Sequence, residues 1–227
     1  MLNELFNAPL LTCLIVFVLA FLQVYFVIPT ITKIVKRRKL NDIPDQRSSH
    51  EDPTPTMGGV AFFFALIFSL FLIQNFDTEQ VAISIIASNS FIFLVALKDD
   101  LVTVSPSVKI IMEALAIVIL LYFTDFPVLN FHGFLGHNEL PSVISYLIVF
   151  IGMLGIINSY NLIDGIDGLA AIIAIIIFSS FGLIFIVAGG LWFYVLICSS
   201  FMGMLAAYLI YNFSNKNKVF MGDTGSL

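Results

Sequence analysis

Seven long apolar runs separated by short polar stretches organise this chain, at roughly Leu10–Thr32, Met57–Ile73, Val81–Leu97, Ser107–Phe123, Val143–Ser159, Leu169–Val187 and Leu191–Ile210. A helix needs about 20 apolar residues, with a range of about 17–25, to cross a bilayer core. The pattern therefore predicts an all-α, polytopic helical membrane protein with seven transmembrane helices. The fourth run alone carries ionisable residues, Lys109 and Glu113, both in its first two turns, where long side chains are expected to snorkel toward the headgroups. The first run lacks a basic start and exceeds the short apolar core of a cleavable signal. The longest polar stretch runs only from about Lys33 to Thr56, and no repeat or low-complexity linker interrupts the pattern. Residues 1–227 thus read as a single integral membrane domain.

Composition agrees. Apolar residues make up 59 % of the chain and charged residues 11 %, with a mean hydropathy of +1.03. A soluble domain is about 45–50 % apolar and about 25 % charged, so a soluble enzyme, a disordered tail and a nucleic-acid binder are excluded. Cys13 and Cys198 fall inside apolar runs and read as small buried hydrophobes. Charge placement sets the orientation. All ten Lys and Arg residues (Lys33, Lys36, Arg37, Arg38, Lys39, Arg47, Lys98, Lys109, Lys216 and Lys218) fall on one side of the predicted spans. By the positive-inside rule the amino terminus is outside and the carboxyl terminus cytoplasmic.

The outer loops read as connectors, with His132 and His137 solvated or interfacial. Every inner loop, by contrast, holds an acidic cluster or a glycine motif. In the third of them Asn161, Asp164 and Asp167 recur every three residues, so a helical turn would project them from one face, while Gly165 and Gly168 allow close approach to the backbone. A calcium loop starting at Asp164 fails, because Ile175 stands where the twelfth-position Glu belongs. Asp99-Asp100 follows the third span but lacks the last Asp of a DDxxD motif, with Thr103 in its place. Phe220 to Ser226 resembles a phosphate-cradling turn, with Gly222 and Gly225 freeing N–H groups and Thr224 and Ser226 adding hydroxyls. It is no P-loop, since no Lys follows the second Gly, and Asp223 would act through a metal.

If these loops converge, Asp99, Asp100, Asp164, Asp167 and Asp223 form a self-repelling group of carboxylates that a divalent cation would resolve. Mg²⁺ prefers oxygen ligands and is commonly held by one or two carboxylates plus substrate phosphates. Arg47, Lys98 and Lys109 are available for the remaining phosphate charge. Beside a wall of apolar helices, this chemistry points to transfer of a phosphate-containing group between a soluble nucleotide and a lipid.

The strings PTPTMGG (Pro53–Gly59), DD (Asp99-Asp100), NLIDGIDGLA (Asn161–Ala170) and FMGDTGSL (Phe220–Leu227) resemble the polyprenyl-phosphate N-acetylhexosamine-1-phosphate transferases. Within that family the chain looks more like the UDP-N-acetylglucosamine branch than the muramoyl-pentapeptide branch. The resemblance implies transfer of a sugar 1-phosphate from a UDP-sugar to undecaprenyl phosphate, with release of UMP. It also implies Mg²⁺ as cofactor, with Mn²⁺ as a substitute, and a multi-pass protein of the bacterial cytoplasmic membrane whose active site faces the cytoplasm. The implied partners are the polyprenyl lipid, the UDP-sugar and membrane lipid, without nucleic acid; a homodimer is compatible with it. By the same resemblance Asp223 matches the metal ligand, and Phe220 a ring that stacks on uracil. Asp164, Gly165 and Asp167, with Asn161 beside them, match the nucleotide-sugar pocket. Asp99 and Asp100 match a pair at the lipid phosphate, and Arg47, His50 and Lys109 are further substrate-binding candidates. A phosphate monoester has its second pKa near about 6, so Asp99 and Asp100 are expected to position groups rather than take a proton.

The chain departs from the family at Glu51-Asp52, where relatives often carry a Lys, and at Asn212, one residue further from Phe220 than expected. Relatives are also expected to continue beyond the position of Leu227 with more spans and a His-rich loop, so the sequence reads as incomplete. Three other readings stand beside this one. An intramembrane prenyltransferase finds a partial NDxxD match at Asn41-Asp42-x-x-Asp45, with Ser49 in place of the next Asp. A transporter would place its polar residues at mid-membrane, where the spans offer little beyond Gln23 and Asn89. The third is a truncated, catalytically silent relative.

Overall fold

The structure is a computed structural model that describes residues 9–38, 41–42, 54–78, 80–124, 129–133, 136, 138–214 and 217–227. Seven long helices are present: α1 (Pro9–Arg38), α2 (Gly59–Ile73), α3 (Val81–Leu101), α4 (Pro106–Phe123), α5 (Ser142–Ile163), α6 (Leu169–Val187) and α7 (Trp192–Asn212). A 3₁₀ turn, Gln74–Phe76, extends α2, and a last single turn, α8 (Asp223–Ser226), ends the chain. All seven long helices, α2 together with its 3₁₀ turn (Gly59–Phe76), are apolar and long enough to cross a membrane, as the hydrophobic runs predict. Two-residue strands, β1 (Asn41–Asp42) and β2 (Thr54–Pro55), pair antiparallel.

Helix ends differ from the apolar runs in an informative way. The first helix continues through Lys36, Arg37 and Arg38, cations that complement its carboxyl-terminal dipole. The third continues through Asp99-Asp100 to Leu101, and the fifth through Asn161 to Ile163, so these polar residues sit on last helical turns rather than in loops. Hydropathy marks what lipid covers, whereas the helix continues as long as its backbone hydrogen bonds do. Two starts have clear local causes. The Asp77 carboxylate accepts from the N–H groups of Val81 (2.8 Å) and Ala82 (2.7 Å) at the head of α3. Pro106 opens α4, where its missing N–H costs nothing. The second helix starts two residues later than its apolar run, because Met57 takes a left-handed turn (φ 72°).

Lipid is as apolar as leucine, so helices in a membrane associate through close packing of small residues and polar contacts. The packing here follows that rule. The buried stripe of α1 (Thr12, Val16, Ala20, Val24, Ile28, Thr32 and Val35) lies against α7 and α2. Gly203 of α7 takes the Phe17 carbonyl where a Cβ would stand, and Ser199 donates to the Cys13 carbonyl at 2.7 Å. Ring stacking joins α6 to α7 at Phe178–Phe201 (4.4 Å) and α2 to α3 at Phe63–Phe93 (3.8 Å). α7 is the hub: 61 % of its apolar window is buried, against 6 % for α5, which lies at the edge beside α4.

Every described Lys and Arg, with all the described residues of the four motif strings, lies at one end of this bundle. His132 lies at the opposite end, exposed, in the connection between α4 and α5; His137 lies outside the described residues. Cys13 and Cys198 are free thiols, half-buried and buried respectively.

Candidate active site

The carboxyl-terminal segment is seated by backbone pairing with the loop ahead of α2. Phe220 N–H donates to the Pro55 carbonyl (2.9 Å), Gly58 N–H to Phe220 (3.1 Å) and Gly59 N–H to Met221 (2.9 Å). A Cβ on Gly59 would coincide with the backbone of Thr224 and Gly225, so two glycine-bearing strings far apart in sequence cross backbone to backbone. The crossing holds α8 against the ends of α2, α3 and α5.

Around α8 the acidic residues take distinct positions. Asp100 receives its head: Oδ1 accepts from Asp223 N–H (3.0 Å), and Oδ2 from Thr224 N–H (3.2 Å) and the Thr224 hydroxyl (2.8 Å). Gly222, at φ +70°, has that carboxylate where its Cβ would be. Asp223 itself faces Asn161, which donates to Oδ1 at 2.7 Å, and Lys109, which donates to Oδ2 at 2.7 Å. Asp99 lies 3.6 Å from the same ammonium and is hydrogen-bonded to Asp223. Burial opposes ionisation of Asp223, yet hydrogen bonds from Asp99, Lys109 and Asn161 and the Lys109 charge outweigh it, holding its carboxyl below the usual range. Asp164 is the reverse case. Burial pushes it up to about 8; the Gly222 N–H bonded to it opposes the shift, and the charges of Asp223 and Asp100 add to it.

These contacts correct the phosphate-cradle expectation for the Phe220–Ser226 turn. Its N–H groups are already committed: Gly222 to Asp164, Asp223 and Thr224 to Asp100, and Gly225 and Ser226 to the Gly222 carbonyl. The Thr224 hydroxyl is held by Asp100, and the Ser226 hydroxyl donates to Gly222 O while accepting from Asn161 at 2.8 Å. The donors of the turn are engaged by the chain's own carboxylates and by the Gly222 carbonyl.

The expectation of one polar face for Asn161, Asp164 and Asp167 holds for the first two alone. α5 stops at Ile163, Asp164 caps it, and the chain then turns. Asp167 is carried to the rim, where it pairs with Lys218 at 2.6 Å. The Lys218 ammonium also stands 5.4 Å from the centre of the Phe220 ring, which is only 6 % exposed. Gly165 is exposed with open space beside it, whereas the approach to Gly168 is filled by the chain's own Phe213 ring. Asn212 fixes this turn: its Oδ1 accepts from Gly168 N–H (2.6 Å), and its Nδ2 donates to Tyr208 Oη (2.8 Å) and Val219 O (3.0 Å). Spacing alone gave Asn212 no such role.

The snorkelling expectation for Lys109 and Glu113 is also corrected. Lys109 turns inward to the carboxylates, and Glu113 is 1 % exposed, accepting from Asn158 Nδ2 at 2.6 Å. α4 packs between α3 and α5 at this level, so both side chains meet protein rather than headgroups. Lys98 is exposed on the last turn of α3. Arg47, His50, Asp45, Ser49 and Glu51-Asp52 lie outside the described residues. A cavity of about 300 Å³ lies beneath α8, between Phe62, Leu66, Asn89, Tyr160 and Phe201, with Thr224 to Leu227 at its rim.

Among the described residues no three His, Cys, Asp or Glu side chains form a ready metal cage. The donor chemistry nevertheless suits a hard cation. Asp99 and Asp223 are neighbouring carboxyls with the Lys109 ammonium close to both, like charges and a counter-ion that one divalent cation could replace. Asp223 and Asp99 could serve as ligands, with a phosphate group completing the set.

The family model of glycosyl transferase family 4 matches residues 82–227. A relative from Bacillus subtilis (strain 168), named probable undecaprenyl-phosphate N-acetylglucosaminyl 1-phosphate transferase, is 30 % identical over 222 residues, covering 94 % of this chain. The chain spans 59 % of that relative's length.

Proposed function

The chain belongs to glycosyl transferase family 4, and on that premise we propose that it transfers N-acetylglucosamine 1-phosphate, or a related hexosamine 1-phosphate, from a UDP-sugar to undecaprenyl phosphate. UMP leaves, and the lipid-linked sugar starts a cell-envelope glycan. The observation that carries this reading is the meeting of Asp99, Asp223, Asn161 and Lys109 at one end of an apolar bundle. Carboxylates and an ammonium at the boundary of a lipid-facing wall suit a reaction between a water-soluble diphosphate and a lipid phosphate. Transport is disfavoured by the same observation, because these groups gather at one end instead of along a path. We assign that end to the cytoplasm of a bacterial inner membrane, on the strength of the described Lys and Arg residues at it.

In the reaction, an oxygen of the lipid phosphate bonds to the sugar-bearing phosphorus, and the bond from that phosphorus to the bridging oxygen breaks, the electron pair leaving with UMP. The attacking monoester is largely dianionic at neutral pH, so it needs no general base. The hydrogen bonds of Asp100 favour a positioning role, since both its oxygens serve the head of α8. Asp99 and Asp223 would hold Mg²⁺ or Mn²⁺, which when bound supplies positive charge to the diphosphate. Lys109 neutralises these carboxylates while the cation is away, and Asn161 keeps Asp223 oriented. The open rim at Gly165 and Asp167 is the side from which a nucleotide would enter. Stacking of its base on Phe220 would require Lys218 to swing off the ring.

The test is UMP release from UDP-N-acetylglucosamine by membranes carrying the protein, with and without undecaprenyl phosphate and Mg²⁺. Release that needs both and is lost in Asp223→Asn supports the reading. Release unaffected by Asp223→Asn, or no release from the wild type, refutes it.

A further inference from the structure

Glu113 is the one acidic or basic side chain among the described residues that is buried outright, at 1 % exposure in α4. Its two oxygens are unequally served. Oε2 accepts from Asn158 Nδ2 at 2.6 Å, and Asn158 is itself anchored to the Leu154 carbonyl at 2.9 Å. Oε1 is closed off from solvent and meets no donor. A carboxylate oxygen desolvated without a donor is costly, and such an oxygen in a folded protein calls for a partner or a functional reason.

The partner at hand is Lys109. It precedes Glu113 by four residues on the same helix, so the two share a face one turn apart, and its charge acts on Glu113. The structure has its ammonium held by Asp223 (2.7 Å) and Asp99 (3.6 Å). A divalent cation taking Asp223 as ligand removes that attraction and repels the ammonium. The four-carbon stem of lysine can swing toward the unfilled oxygen of Glu113, which keeps the charge paired inside the protein.

We propose that Glu113 is a positioning residue, the second seat of Lys109, which receives the ammonium when a divalent cation occupies Asp223, with Asn158 fixing the carboxylate that receives it. The inference rests on the cation-dependent reading above. It states a dependence that reading lacks: Glu113 governs cation affinity only through Lys109.

The experiment measures Mn²⁺ binding to the detergent-solubilised chain by the electron paramagnetic resonance signal of free Mn²⁺, with no nucleotide or lipid. Wild type, Glu113→Gln, Lys109→Met and the double variant are compared. Gln preserves volume and the bond from Asn158 while removing the charge. Glu113→Gln is expected to weaken binding about tenfold, the weak end of one charge-assisted hydrogen bond. Lys109→Met binds at least as tightly as wild type, and in that background Glu113→Gln has no further effect. Equal weakening in both backgrounds overturns the proposal, since Glu113 would then act on the cation directly. Unchanged affinity in the single variant overturns it as well. If Glu113→Gln does not give monodisperse protein, Glu113→Asp, whose shorter stem misplaces the charge, is compared in the two Lys109 backgrounds under the same criteria. Wild-type protein that binds no Mn²⁺ sinks the cation chemistry and this inference together, whereas wild-type binding that ignores Glu113 sinks this inference alone.

Discussion

Replacing Asp100 by Asn separates a positioning carboxylate from a proton-abstracting one. In the native site one oxygen takes Asp223 N–H at 3.0 Å, and the other takes Thr224 N–H at 3.2 Å and the Thr224 hydroxyl at 2.8 Å. An amide offers a single acceptor oxygen, so however it is turned its NH₂ group confronts a backbone donor. Hydrogen bonds to a charged acceptor contribute about 1.5–3 kcal/mol each. Losing the charge and one acceptor therefore costs about 3 kcal/mol, which is roughly 100-fold in the equilibrium for opening the last segment. Hydrogen exchange of the Asp223 and Thr224 amides reads this directly, and both should exchange roughly 100-fold faster in Asp100→Asn. The transferase activity proposed above should fall alongside, at every pH. Native exchange rates would refute the seating argument. Activity restored by raising the pH would instead make Asp100 a base, contrary to the argument from the acceptor's own ionisation.

Two further outcomes follow from neighbouring contacts. Asn212→Ala removes the acceptor of Gly168 N–H and the donor to Val219 O, leaving buried backbone groups unpaired, and should lower stability by about 2–4 kcal/mol. Thermal unfolding in detergent measures it, and a midpoint unchanged from wild type would contradict the bridging role. Asp164, pushed up to about 8 by burial, holds its proton in the folded state across a window in which the unfolded chain, with its carboxyl near about 4, has lost it. Its contribution to stability is thus greatest below about pH 4 and is lost as pH rises toward about 8. Without divalent cation, the melting temperature should fall across that window and fall less in Asp164→Asn; identical slopes would show that another group sets the dependence.

The structure divides the candidate site into three kinds of residue. Asp223, Asp99, Asn161 and Lys109 converge on one point, which is where the proposed cation would be held. Asp100, Thr224, Ser226 and Asn212 hold that point together without pointing at it. Asp167, Lys218 and Phe220 form the rim. Aspartates occur in all three kinds, and single strings such as Asp99-Asp100 and Phe220–Leu227 supply more than one kind, so spacing alone could not sort them. A string such as Gly222-Asp223-Thr224-Gly225-Ser226 announces a tight turn, but whether its N–H groups face a phosphate or the chain's own carboxylates depends on what other helices bring beside it.

The sequence by itself determined the seven helices, because covering about 20 residues of backbone in lipid leaves a helix little alternative. It also determined which end of the bundle carries the basic groups, since every Lys and Arg except Lys109 lies outside the apolar runs and all fall on one side of them. Helix ends escaped it, as at Asp99-Asp100 and Asn161, because hydropathy reports the membrane rather than the hydrogen bonds that prolong a helix past it. The partners of Glu113 and Lys109 escaped it for a related reason. A side chain near a span's end snorkels only if lipid surrounds it, and whether lipid or another helix is there is a property of the packed bundle. Contacts between residues as distant in the chain as Gly59 and Gly225, or Lys109 and Asp223, are decided by which helices lie side by side, and that is a choice of tertiary structure.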